Sequence, residues 1–207
     1  MSEEKAVQHF NKSVVWGRVD GVPSTKKSDS GKGRRYLRLK VVCANPKYGN
    51  VLAYGRIWNQ EKIDSLVDYL KKNPGAAVKL TGFINQYDHV EGEGSEAKTS
   101  RRSNFTWYDW APDKCENPRA SFIMVGKIKA IKDDTVIIRL ERKGNDPEEF
   151  EVYPMTGQQL KGIIEDDTVK VKGYVRALNP EDEFGDTTNA PIRPYIEEIE
   201  LTKGEFS

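Results

Sequence analysis

The sequence predicts a mainly β chain made of two five-stranded Greek-key barrels in tandem, each with a helix between its third and fourth strands. Three observations predict it. Apolar residues alternate with polar or aromatic ones over many short stretches, the period of a strand with one buried face. Two stretches repeat: Val78-Lys79-Leu80-Thr81-Gly82-Phe83-Ile84 resembles Val169-Lys170-Val171-Lys172-Gly173-Tyr174-Val175, and upstream Val14-Val15-Trp16-Gly17-Arg18-Val19 resembles Ile123-Met124-Val125-Gly126-Lys127-Ile128. Each repeat carries a glycine inside a strand, where glycine weakens pairing unless the strand bends or another backbone comes close. Barrel corners require such bends, so the four glycines mark matched corners of two barrels.

In the first half, strands are expected near 13–22, 34–44 and 50–58. A helix over Gln60–Lys72 follows, because Ile63, Leu66, Val67 and Leu70 fall at helical spacing and Asn73-Pro74-Gly75 stops it. A strand near 77–87, a long polar loop and a strand near 104–110 complete the half. The aromatics of this last strand, Phe105, Trp107, Tyr108 and Trp110, cannot all be exposed; one parity is core, and the sequence leaves open which. Residues 112–118, with Pro112 and Pro118, read as a linker between an N-terminal domain over 1–111 and a C-terminal domain over 119–207. The second half offers strands near 121–131, 134–142, 148–153, 168–177 and 195–202, with a tight turn at Asp133-Asp134 and a short helix over Thr156–Ile164.

Charge is divided unevenly. Residues 1–117 hold 20 Lys and Arg against 14 Asp and Glu, whereas 118–207 hold 13 against 18. A basic half joined to an acidic half implies different partners for the two. No apolar run follows Met1 as in a signal peptide, and no stretch approaches the roughly 20 apolar residues of a membrane span, so a cytoplasmic protein without membrane association is expected. Cys43 and Cys115 lack metal-ligand spacing and are too few for a disulfide framework. Gly31-Lys32-Gly33 lacks the spacing of a phosphate loop. His9 and His89 lie far apart and support no nucleophilic constellation. No enzyme activity, cofactor or metal is therefore expected.

The candidate site is a face rather than a pocket. In Arg35-Tyr36-Leu37-Arg38-Leu39-Lys40-Val41, Leu37, Leu39 and Val41 point one way and Tyr36, Arg38 and Lys40 the other. Tyr54, Arg56 and Trp58 form the matching row on the next strand. Trp16 and Arg18 on the first strand and Phe83 on the fourth share that outward parity. Rings that stack on bases beside cations that hold phosphates are what a single-stranded nucleic acid needs. Two alternatives stay open here: Trp16 plugs the barrel end, and Trp58 belongs to the core. The basic stretch Lys26-Lys27-Ser28-Asp29-Ser30-Gly31-Lys32-Gly33-Arg34-Arg35 is expected as a loop that closes on phosphates. The loop between the fourth and fifth strands begins acidic at Glu91, Glu93 and Glu96 and ends basic at Lys98, Arg101 and Arg102. In the second half the outward positions hold Arg139, Glu141, Glu149 and Glu151 with few aromatics. That half reads as a supporting or partner-binding domain, with the acidic stretch Glu181-Asp182-Glu183-Phe184-Gly185-Asp186 as either a dock for a basic partner or a solvated turn.

Three strands, a helix and two strands is the order of the OB-fold, a five-stranded Greek-key barrel that binds ligands across strands 2 and 3. On the Val-Lys-Leu-Thr-Gly-Phe strand and the aromatic-basic second and third strands, the chain resembles single-stranded-DNA-binding proteins built from OB-folds. Its two-barrel plan resembles replication proteins of phages and plasmids. The resemblance implies a protein that coats or protects single-stranded DNA in replication, recombination or repair, in a bacterial host cytoplasm if phage-encoded, with replication or recombination proteins as partners of the acidic half. Bacterial members end in an acidic tail with a final Phe. The end Lys203-Gly204-Glu205-Phe206-Ser207 lacks the acidic run, so recruitment by such a tail is not expected. RNA binding by the same face, or a replisome adaptor that binds a peptide there, are the rival expectations.

Overall fold

A computed structural model of the chain describes residues 8–21, 23–27, 33–92, 98–141, 146–177 and 192–202. It is mainly β, an arrangement consistent with the OB-fold. In order, the elements are β1 (Phe10–Val19), β2 (Ser24–Lys27), β3 (Arg35–Asn45), β4 (Gly49–Ile57), α1 (Gln60–Lys72), β5 (Ala77–Glu91), β6 (Lys98–Pro112), β7 (Arg119–Lys132), β8 (Thr135–Leu140), β9 (Glu148–Pro154), β10 (Thr168–Ala177) and β11 (Ile192–Leu201). All the strands join one sheet. In the first half the pairings run β3–β4–β6–β5–β1 and return to β3. In the second they run β7–β8–β9–β11–β10 and return to β7.

The alternation read from sequence places the core. Leu37, Leu39, Val41 and Cys43 of β3 and Val51, Ala53 and Ile57 of β4 are buried, as are Val15 and Val19 of β1. The helix has the expected bounds. Asn59 caps it, its side-chain oxygen accepting from the Lys62 N–H at 3.1 Å, and Ile63, Leu66 and Leu70 are buried against the sheet. The chain then turns through Gly75, whose φ of +68° suits glycine.

The paired glycines lie at matched irregularities. β5 and β6 slip register between Thr81 and Gly82, and β10 and β11 slip between Lys172 and Gly173. A Cβ on Gly82 would overlap the Thr106 carbonyl oxygen, and one on Gly173 would overlap that of Tyr195. Glycine is required at both because the neighbouring backbone occupies the side-chain position. Gly17 and Gly126 likewise face the carbonyls of Val42 and Arg139.

Several expectations need correction. The stretch 26–35 is not all loop: Lys26 and Lys27 belong to β2, which pairs with β3. The polar loop between the fourth and fifth strands is mostly a long hairpin, with pairing from Val78–Pro112 to Glu91–Lys98. The second helix expected over Thr156–Ile164 is a single 3-10 turn at Gly157–Leu160. β6 runs through Pro112, so the connection to β7 is shorter than 112–118. In the strand over 104–110 the odd parity is core as far as Trp107, where a bulge interrupts the alternation. Gly82 pairs with Trp107 and Thr81 with Asp109, leaving Tyr108 as the extra residue of a bulge. Phe105 and Trp107 are core before the bulge. Beyond it Trp110 turns inward against α1, packing on Tyr69 with ring centres 5.2 Å apart and planes tilted by 40°, and donating from Nε1 to Ser65 Oγ at 3.0 Å.

The two halves are joined by more than a connection. β1 pairs with β7 from Phe10–Val125 to Trp16–Arg119, and one hydrophobic cluster includes core residues of both halves. Gln86 strengthens the junction: its amide donates to the Glu151 carbonyl at 2.8 Å and accepts from the Glu151 N–H at 2.7 Å.

Candidate nucleic-acid interface

β3 and β4 pair so that Arg38 lies opposite Arg56 and Lys40 opposite Tyr54. Their inward residues fill the core, which forces the intervening side chains onto one outer face. There Tyr36 and Trp58 touch, ring centres 4.8 Å apart and planes tilted by 41°. The Arg56 guanidinium lies 5.3 Å from the Tyr36 ring centre, and Lys40 Nζ lies 5.4 Å from that of Tyr54. Tyr36, Lys40, Tyr54 and Trp58 are half-buried, and Arg38 and Arg56 are exposed. The Tyr36–Trp58 pair and the cation contacts hold the rings in place, so less order remains to be imposed when a ligand stacks on them.

The row continues across the sheet. Arg56 is level with Thr106 on β6, and Thr106 with Phe83 on β5, whose ring is half-buried. At the opposite edge Lys26 is paired with Tyr36 and Lys27 with Arg35, both lysines exposed. Arg34 is exposed beside them, and Lys32 lies outside the described residues. So do Glu93, Glu96 and the stretch 181–186.

Other candidates are placed differently. Arg35 has the parity of Leu37 at the start of β3 and is paired with Asp64 of α1 at 3.2 Å. Arg101 is held by the fold: one guanidinium nitrogen meets Asp88 at 2.8 Å and the other donates to the Glu149 carbonyl at 2.9 Å. Arg102 is half-buried opposite Tyr87 on the same hairpin. Arg18 is exposed, is level with Val42 and donates to the Gly75 carbonyl at 3.4 Å. Trp16 does not plug the barrel. It is half-buried on the outer surface, where β1 meets β7, flanked by Arg119 at 4.7 Å and Lys79 at 5.8 Å. A cavity of about 640 Å³ opens beside it, lined also by Asp113, Lys114 and Asn117. Lys79 and Arg119 escaped the sequence reading because only the β1–β5 and β1–β7 registers bring them level with Trp16.

The thiols are remote from this chemistry. Cys43 is buried and burial pushes its pKa up to about 12. The half-buried Cys115 is raised as well, mainly by burial. Among the described residues no cluster of His, Cys, Asp and Glu could hold a metal ion, and no helix is long and apolar enough to cross a membrane.

No protein-family model matches the chain, and no curated protein sequence matches it. Among solved structures, the wild-type single-stranded DNA binding protein from Thermus aquaticus is similar over 97% of this chain and 97% of its own, with a TM-score of 0.66 at 13% identity. A deletion mutant of that protein covers 97% and 98%, with a TM-score of 0.64 at 13% identity. At this identity the likeness is one of fold, and it extends over nearly the whole of both chains.

Proposed function

We propose that this chain binds single-stranded DNA with little sequence preference, and that the two closed circuits of strands are tandem OB barrels. The observation that carries the reading is the outer face of β3 and β4, where Trp58, Tyr36 and Tyr54 interleave with Arg56, Arg38 and Lys40. Rings on a sheet surface stack only on bases that are unpaired, and every base offers such a face, so the chemistry selects single strands and tolerates sequence. The lysines of β2 stand beside that row and supply further phosphate contacts. The whole-chain fold likeness to a protein described as single-stranded DNA binding supports the same reading. The role that follows is coating or protecting single strands in replication or recombination, by binding rather than catalysis.

A salt titration tests it. If Arg38, Arg56, Lys40, Lys26 and Lys27 each neutralise one phosphate, the slope of log affinity against log salt is about −3.5, a loss of roughly 100-fold between about 50 and 200 mM. A peptide-binding adaptor using the same face would show little salt dependence, and that result would overturn the reading.

A further inference from the structure

Both cysteines of the chain lie where the end of β3 faces the connection from β6 to β7. Cys43 stands on β3 in the buried row of Val41 and Asn45. Its sulfur lies against β1: a Cβ added to Gly17 would be 3.0 Å from Cys43 Sγ. Cys115 is in the connection itself and is half-buried.

Two links bring the connection to the end of β3. Asn45 Nδ2 donates to Asn117 Oδ1 at 2.7 Å, and each cysteine precedes its asparagine by two residues. The Gly17-Arg18 pair of β1 is the other link. Gly17 adjoins Cys43, and the Arg18 charge acts on Cys115, lowering a pKa that burial raises. At Cys43 burial pushes the thiol up to about 12, and Cys115 adds to the rise, so the two sulfurs lie within electrostatic reach of each other.

The fold also holds Cys115 in an uncommon backbone shape. Its φ is +56°, and among the described residues other than glycine only Asp166 shares a positive φ. That region is unfavourable for a residue with a Cβ. Asp113 fixes it: Oδ1 accepts from the Cys115 N–H at 2.6 Å, and the Asp113 N–H donates to the Ala77 carbonyl at 3.1 Å. The thiol is therefore positioned by its neighbours.

We propose that Cys43 and Cys115 are an oxidant-sensitive pair, which a low-molecular-weight disulfide converts to one intramolecular disulfide bond that ties the connection between the halves to the end of β3. Cys115 reacts first, because Cys43 is buried. The Cys115 thiolate attacks one sulfur of the small disulfide, forming a mixed disulfide and releasing one small thiolate. Cys43 then loses its proton and attacks the Cys115 sulfur. The bond of the mixed disulfide breaks, and the second small thiolate leaves and takes up a proton. Two protein thiols are oxidised, and one small disulfide is reduced to two thiols. Burial of the second sulfur makes its attack slow, and excess thiol reverses both steps. The proposal does not depend on the nucleic-acid reading.

The test is incubation of the folded full chain with excess oxidised glutathione, read by intact mass, a non-reducing gel and peptide mapping. Wild type, Cys43→Ala and Cys115→Ser are compared. Wild type should lose two hydrogens, run as a single chain and yield peptides joined through Cys43 and Cys115. Cys43→Ala should stop with one glutathione on Cys115, and Cys115→Ser should stay unmodified. The bond closes a loop of about 70 residues and constrains the unfolded chain, so oxidation should raise the wild-type Tm by several degrees, and dithiothreitol should restore it. A wild type that keeps glutathione on Cys115, links to a second chain or retains both free thiols would overturn the proposal, and none of these readings depends on a variant folding. A Tm that falls on oxidation would overturn it too, because the bond would then form only by distorting the junction.

Discussion

Tyr36→Ala and Leu39→Ala, three residues apart on one strand, separate a binding face from a core. Tyr36 is half-buried on the outer surface, touching Trp58 at 4.8 Å with Arg56 at 5.3 Å from its ring. Removing the ring deletes one aromatic contact, about 0.5–1.5 kcal/mol, and leaves no enclosed cavity. In a chain of this size, about 1 kcal/mol lowers Tm by roughly 2–4 °C. Leu39 is 1% exposed at the centre of the β3 core row. Its truncation costs about 2–5 kcal/mol, or roughly 4–20 °C. For binding the order reverses. A lost base stack costs about 1–3 kcal/mol, a 5- to 140-fold weaker Kd, and Trp58 loses the ring that fixes its orientation. The assay is a thermal melt and a fluorescence titration with oligothymidylate on both variants. Tyr36→Ala should melt within a few degrees of wild type and bind weakly, whereas Leu39→Ala should melt early and, below its Tm, bind normally. Early melting of the tyrosine variant with normal melting of the leucine variant would reverse the faces and abolish the site.

Arg38→Ala and Arg56→Ala should each reduce the salt slope by about 0.7, read from titrations at several salt concentrations; unchanged slopes would remove both from the phosphate contacts. Gly82→Ala and Gly173→Ala should each lose about 1–3 kcal/mol or more in denaturant melts, because the new Cβ meets backbone that cannot yield. Gly157→Ala, with nothing within 4 Å of the added carbon, is the neutral control. In the folded chain at mildly alkaline pH a thiol reagent should modify Cys115 slowly and leave Cys43 intact, since burial holds the Cys43 thiol protonated up to about 12. Two equally reactive thiols would contradict the buried end of β3.

Local periodicity made most of the first half legible. The bounds of α1 follow from Ile63, Leu66 and Leu70 with the Asn73-Pro74-Gly75 stop, and the outward rows of β3 and β4 follow from strict alternation. The glycines carried information because they hold a close approach that no other residue permits. What escaped was set by pairing. β2 and the outer part of the β5–β6 hairpin are polar on both faces, so they have no apolar period to detect and are held by backbone ladders. The Tyr108 bulge switches the parity of one strand midway, which no single alternation can describe. The β1–β7 ladder joins residues more than a hundred positions apart.

The central claim is that unpaired bases stack on the outer face of β3 and β4. The most direct measurement is the affinity of the full chain for a single-stranded DNA and for the same sequence as duplex, at equal length and moderate salt, with an RNA of that sequence alongside. The account predicts that the single-stranded DNA binds at least about tenfold more tightly than the duplex, since only unpaired bases reach Tyr36, Tyr54 and Trp58. Equal affinity for the single strand and the duplex would contradict it, because phosphate contacts alone would then account for the binding.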